Sequence, residues 1–124
     1  MIEVNEYVRT KNGIIDKVIN SNFYMSIYVE CEKGLHLIEN IVKHSKQLID
    51  LIEVGDIVNK ELVIGIIDIT NDKEEIIGKK LITQYRSAQF TGLDIKHYIY
   101  ANDIKTILTK EIYMANCYKV GGEE

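Results

Sequence analysis

Apolar and polar positions alternate along most of this chain, and one stretch sets the pattern most clearly. An apolar segment, Leu51-Ile52, runs into Val54-Gly55-Asp56, then the short pair Ile57-Val58, then a β-branched run from Leu62 to Ile69. This order predicts a tight turn, a short strand and a long strand, as at the opening of a small, highly curved β-barrel. Gly55 supplies a backbone conformation that a side chain resists, and the Asp56 carboxylate can hydrogen-bond back onto the turn.

The same reading extends along the chain. Residues 6–10 predict a strand, Lys11-Asn12-Gly13 a hairpin turn and residues 13–19 the return strand, Asn-Gly being the strongest short hairpin signal. Residues 23–30 set Phe23, Met25, Ile27 and Val29 against Tyr24, Ser26, Tyr28 and Glu30, the alternation of a half-buried strand. Glu32-Lys33-Gly34 reads as a turn and residues 35–38 as a short strand. From 39 to 52 the apolar spacing changes to three and four, and a strand through residues 41–44 followed by a helical turn over 45–51 fits best.

Residues 62–70 are the most apolar strand and are expected at the centre of a sheet. A polar loop over 71–75 precedes a strand over 76–82. Residues 84–94 show no period and read as the longest irregular stretch, where function concentrates. Strands are expected over 95–101 and 104–109, one helical turn over 110–115, and a disordered tail over 121–124. Tyr7-Val8 through Ile14-Ile15 faintly echoes Ile57-Val58 through Val63-Ile64; with so few residue types in use, chance is the preferred explanation. The expected fold is a single mostly-β domain over residues 1–120, a small, strongly bent antiparallel β-barrel or roll of the KOW/Tudor-like type with one or two short helical turns.

Composition sharpens this picture. Eight tyrosines, abundant isoleucine and no proline or tryptophan favour strands and leave edge protection to lysines, glutamates and short strands. The Ile, Asn and Lys bias is that of an AT-rich coding sequence. A net charge of −4 argues against a general nucleic-acid coat while permitting a local basic patch. Cys31 and Cys117 lie in no metal-ligand spacing and are expected to be free, mostly buried thiols in a reducing cytoplasm. The acidic N-terminus lacks the apolar core of a signal peptide, and no apolar run approaches the roughly 18–20 residues of a membrane span. A cytoplasmic protein without a membrane association is expected.

Catalytic chemistry finds no support. The glycines at 13, 34, 55, 65, 78 and 92 are scattered singly, so there is no phosphate loop. No serine sits in a nucleophile elbow. His36, His44 and His97 have no partner at metal spacing and read as surface or rim residues. A Cys-His pair could meet only in space, and the sequence gives nothing for one. No enzyme, cofactor or metal is therefore expected.

Two clusters carry binding chemistry. Lys43, His44 and Lys46 form a basic group that could contact an anion at a helix start, against the plainer reading of a solvated turn. Lys79-Lys80, the segment through Tyr85, Arg86 and Phe90, and Lys96-His97-Tyr98-Ile99-Tyr100 interleave cations with aromatics. Such a surface suits stacked bases or a protein hot spot. The acidic balance favours a protein, with Tyr85, Arg86, Phe90, Lys96 and His97 as the expected binding residues.

The segments from Glu6 to Ile15, from Ile41 to Asp56 and from Asp103 to Glu111 together resemble a family of small uncharacterised proteins of phages and prophages in low-GC, Clostridium-like Gram-positive bacteria. The likeness spans most of the chain and departs at residues 82–96, which read as a longer loop. It carries no catalytic residues. It implies a phage accessory product in the host cytoplasm that binds and modulates a host macromolecule, most readily a host protein. The alternatives are a nucleic-acid or nucleotide-binding module and a structural virion component that forms homo-oligomers.

Overall fold

The computed structural model describes residues 2–20, 27–86 and 94–116, with the backbone alone at 85–86 and 94–95. Strands take up 52% of the chain, so it is mainly β as expected. The first half is a run of short strands: β1 (Tyr7–Thr10), β2 (Ile15–Asn20), β3 (Tyr28–Cys31), β4 (Gly34–Leu37), a 3-10 turn over Ile38–Asn40, and β5 (Ile41–Ser45). The first four form an antiparallel meander, and β5 returns to pair with β1, giving the order β4-β3-β2-β1-β5. Alternation decides the inward face. Val8, Val18, Val29 and Cys31 are buried together, with Ile2 and Ile41 against them.

The second half repeats this plan. After a 3-10 turn over Leu48–Leu51 come β6 (Ile57–Val58), β7 (Glu61–Thr70), β8 (Ile76–Arg86), β9 (Asp94–Tyr100), a 3-10 turn over Ala101–Asp103, β10 (Ile107–Leu108) and the helix α1 (Lys110–Ala115). Again four strands form a meander and the fifth returns to the first, giving β10-β6-β7-β8-β9. Its core is Ile49, Ile52, Val58, Val63, Leu81 and Ile99. Long β7 takes the middle place in the sheet, as its apolar run predicts.

The likeness of the halves reaches individual hydrogen bonds. Gly55 has φ +102°, and Asn5 in the first half has φ +73°. Asn5 N–H donates to the Val18 carbonyl and Gly55 N–H to the Val63 carbonyl, both at 2.9 Å. Val18 and Val63 in turn donate to the carbonyls of Glu6 and Asp56, both at 2.8 Å. The Glu6 carboxylate accepts from Glu3 N–H at 3.2 Å, and the Asp56 carboxylate from Glu53 N–H at 2.8 Å. The sequence behind this is Ile2-Glu3-Val4-Asn5-Glu6-Tyr7-Val8 against Ile52-Glu53-Val54-Gly55-Asp56-Ile57-Val58. The echo that composition seemed to explain is therefore a structural repeat, and its strongest signal lies just upstream of where the alternating pattern drew attention.

A buried ion cluster ties the halves together. Arg9 in β1 has no exposed surface, and neither does Asp56. The Arg9 guanidinium donates to both Asp56 oxygens at 2.5 and 2.9 Å, to the Leu51 carbonyl at 2.9 Å and to Glu111 of α1 at 2.6 Å. Asp56 also accepts the Lys110 N–H at the start of α1, at 2.9 Å. Nearby, the Thr109 hydroxyl donates to the Gly13 carbonyl at 2.7 Å. Burial opposes the Arg9 charge, and the bonds to Asp56 and Glu111 more than offset it, so the guanidinium is held protonated above its ordinary range. Its Nε finds no partner among the described residues.

Two expectations change. Residues 84–86 and 94 are paired strand, Gln84 with Lys96 and Arg86 with Asp94, so the two ends of the stretch expected to be irregular, and of the longer loop over 82–96, are β-ladder, and residues 87–93 lie outside the described residues. Cross-strand pairing overrode the lack of local periodicity. The strand expected over 104–109 shrinks to β10, because the Asn59 side chain occupies the backbone ahead of it. It donates to the Asp103 carbonyl at 2.8 Å and accepts from Lys105 N–H at 2.8 Å and Thr106 N–H at 3.1 Å. The strand expected over 23–30 falls partly outside the described residues. Within them, Val29 is buried and Tyr28 exposed, as the alternation requires.

Candidate functional site

On strands β7, β8 and β9 the side chains of Val63, Leu81, Thr83 and Ile99 are buried, so their neighbours in sequence face outward. Registered side by side on that outer face are Ile67, Lys80 and Tyr100, then Ile82 and Tyr98, then Leu62, Gln84 and Lys96. Tyr98 and Tyr100 are 55% and 46% exposed, and Leu62 and Ile67 are also exposed. The Lys80 ammonium lies 4.6 Å from the Tyr98 ring centre and 5.9 Å from that of Tyr100. A cation held over two exposed rings keeps its charge forward on an apolar surface. Lys79, one residue away on the other face, pairs with Asp50 at 3.3 Å. In the order of the sheet, β9 is the end strand.

The residues singled out in the sequence divide across this arrangement. Lys96 stands on the outer face beside Tyr98. His97 follows it on the opposite face, where Nδ1 meets the Glu61 carboxylate at 2.9 Å. Tyr85 and Arg86 belong to β8 by backbone, and their side chains lie outside the described residues, as does Phe90 altogether. Tyr98, Tyr100 and Lys80 were within the cation–aromatic cluster but not selected. The signal that finds them is strict alternation from the buried Ile99.

Lys43, His44 and Lys46 sit on β5 and the turn after it instead of at a helix start, and each faces a carboxylate. Lys43 pairs with Glu53 at 3.2 Å, His44 with Glu6 and Lys46 with Glu3 at 3.3 Å. Matched in this way, they are poorly placed to receive an anion. Glu53 also binds the Lys110 ammonium at 2.9 Å. That bond, against a smaller opposing burial and aided by Lys43, holds the Glu53 carboxyl below its ordinary value.

The histidines lie at the surface or rim, His44 and His97 exposed and His36 half-buried, and each meets an acid. In the first half His36 on β4 bonds through Nε2 to Asp16 on β2 at 2.9 Å, and Cys31 on β3 stands beside them. The second half has the same strands similarly furnished: His97 on β9, Glu61 on β7 and Thr83 on β8, whose hydroxyl donates to Glu61 at 2.5 Å. The thiol, imidazole and carboxylate ligand atoms of Cys31, His36 and Asp16 all lie within 4.8 Å of one another. Cys31 is buried and free, as expected, and Cys117 lies outside the described residues. Among the described residues no helix is long and apolar enough to cross a membrane.

Comparison with protein families, curated proteins and solved structures finds no match to this chain.

Proposed function

We propose that this chain is a non-enzymatic binding protein whose outer β7–β8–β9 face docks a protein partner. The observation that carries the reading is the exposed pair Tyr98 and Tyr100 with Lys80 held over both rings, bordered by Leu62, Ile67 and Lys96. Aromatic rings and a cation on an apolar strand surface are the ingredients of a protein hot spot. The partner that fits is a protein surface with an apolar patch flanked by carboxylates. The resemblance to phage and prophage proteins gives the setting: an accessory product in the host cytoplasm acting on a host protein. Of the residues expected from the sequence this reading uses Lys96; His97 stands on the opposite face, and the side chains of Tyr85, Arg86 and Phe90 lie outside the described residues.

We read the fold more finely as a small, strongly bent antiparallel barrel or roll. A four-strand meander, a 3-10 turn and a fifth strand returning to the first is the order of a small bent roll of the KOW/Tudor-like type. That order of elements, present in each half, supports the reading, and such rolls serve widely as binding modules.

The competing reading is a nucleic acid stacked on the same two tyrosines. Lys80 and Lys96 are few cations for a phosphate backbone on a chain of net charge −4, which places it second. The third reading, a virion component, uses the β9 edge for self-association. Capture from a related host lysate after nuclease treatment, compared between the native chain, Tyr98→Ala/Tyr100→Ala and Lys80→Glu, separates them. A stoichiometric protein held by the native chain and lost from both variants is the expected result. The same protein held equally by all three, or capture of nucleic acid alone with steep salt dependence, overturns the reading. Sedimentation of the isolated chain as a stable oligomer that Tyr98→Ala/Tyr100→Ala leaves intact would favour the virion reading.

A further inference from the structure

On matching strands the two halves carry Asp16, Cys31 and His36 in one and Glu61, Thr83 and His97 in the other; Asp16 and Cys31 stand at the register of Glu61 and Thr83, and His36 stands two residues further along its strand than His97. The second set is closed by hydrogen bonds: the Thr83 hydroxyl and His97 both bond to Glu61. In the first set the thiol makes no hydrogen bond among the described residues, while the imidazole and carboxylate beside it remain in reach. We propose that Asp16, Cys31 and His36 bind a thiophilic divalent cation of the zinc class.

The donor set is the argument. One sulfur, one imidazole nitrogen and one carboxylate oxygen, all within 4.8 Å, match the ligand types and the span of a tetrahedral zinc site. Three protein ligands leave the fourth position to water or to a ligand from a partner. Asp16 and Cys31 are almost wholly buried, so the ion would sit in a medium that strengthens its attraction to thiolate and carboxylate. Asp16 is already oriented from behind by N–H groups of Lys17 at 2.8 Å and Lys33 at 3.1 Å, the supporting contacts that metal-binding carboxylates use.

His36 provides the way in. It is partly exposed and lines two clefts of about 310 and 320 Å³. Its Nε2 lies 2.9 Å from Asp16, a hydrogen-bond distance. Ligand bonds of about 2.0–2.3 Å require an outward shift of the ring by roughly half an ångström, which the exposed edge allows. The exchange balances simply. The Cys31 thiol proton leaves to solvent, the neutral imidazole carries its proton on Nδ1, and the ion takes the place of the hydrogen bond between Nε2 and the carboxylate.

The electrostatic setting agrees. Glu30 and Glu32 flank Cys31 in the chain and Asp16 lies beside it. The same negative surroundings that disfavour a bare thiolate attract a cation and are neutralised by it.

Cobalt(II) is the probe, added to the full, reduced chain and followed by absorption. The expected result is saturation at one ion per chain, with a thiolate-to-metal charge-transfer band and the intense visible bands of tetrahedral coordination. Cys31→Thr, which copies the residue of the second half and so keeps a side chain this fold accepts, should abolish both. His36→Gln at the exposed edge should weaken binding by tenfold or more, and it distinguishes a lost site from a lost fold. Glu61→Gln and Cys117→Ser should change neither stoichiometry nor spectrum. A native chain that shows no charge-transfer band, or a Cys31→Thr chain that keeps it, overturns the proposal.

Discussion

Glu6 and Asp56 occupy the same place in the two halves, each accepting a hydrogen bond from the N–H three residues before it, yet they face different tasks. Glu6 completes its bonding within its own half, through His44 of β5. Asp56 reaches out of its half to Arg9, and within its half accepts the first N–H of α1. A repeated backbone thus supplies a repeated position, and what stands at that position decides whether it closes a turn or joins two sheets. The same lesson applies to the acid–histidine pairs, where a cysteine in place of a threonine converts a closed hydrogen-bonded set into a set of ligand atoms.

The sharpest way to break the comparison is at the joint. Arg9→Met leaves Asp56 buried without its counter-charge and should cost about 3–5 kcal/mol in denaturant unfolding. Glu6→Gln, at the matched position of Asp56 but bonded within its own half, should cost only about 1 kcal/mol. Equal losses from the two substitutions would mean that the halves are not held by the Arg9 cluster.

A smaller effect is expected at the left-handed turns. Gly55→Val forces a β-branched residue to φ +102° and should cost about 1–3 kcal/mol. A Cβ at Gly55 meets only the Lys110 side chain at 3.4 Å, so this cost is backbone strain and not a clash. Asn5→Gly at the matched turn should be nearly silent, because asparagine already tolerates this conformation and glycine does too. A neutral Gly55→Val would remove the strain argument for both turns.

The smallest effect is a pH dependence. Because Glu53 is held below the ordinary glutamate value of 4.5, its contribution to stability is complete above that value and is lost as pH falls through the lower value of the folded state. Glu53→Gln should therefore flatten the acid limb of the stability profile. Glu3→Gln, which removes the exposed pair with Lys46 at the matched position, serves as the control. An acid limb unchanged by Glu53→Gln would show that its ion pairs are balanced by their desolvation.

Much of the fold was legible because it is local. The Lys11-Asn12-Gly13 hairpin, the switch from strand to helical turn after Ser45, the Gly55 turn and the short helix at Lys110–Ala115 each follow from a few neighbouring residues. Continuation of β8 and β9 through Gln84 and Lys96 was not legible, since those residues have no period of their own and take strand conformation from each other. The binding surface was half legible. The cation–aromatic cluster stood out, but the division of Lys96 from His97 onto opposite faces, and the emergence of Tyr98 and Tyr100, needed the buried Ile99 as a reference.

By itself the sequence determined the β-rich class, the turns and the alternation that marks one face of each strand as core, because these depend on side-chain volume and backbone freedom over a few residues. Only the tertiary structure decided which charges meet. Arg9 and Asp56 are separated by most of the first half, as are Asp16 and His36 by an intervening hairpin, and no spacing rule connects them. Pairing strands in register brings such residues within hydrogen-bond distance, and burial then makes those meetings matter.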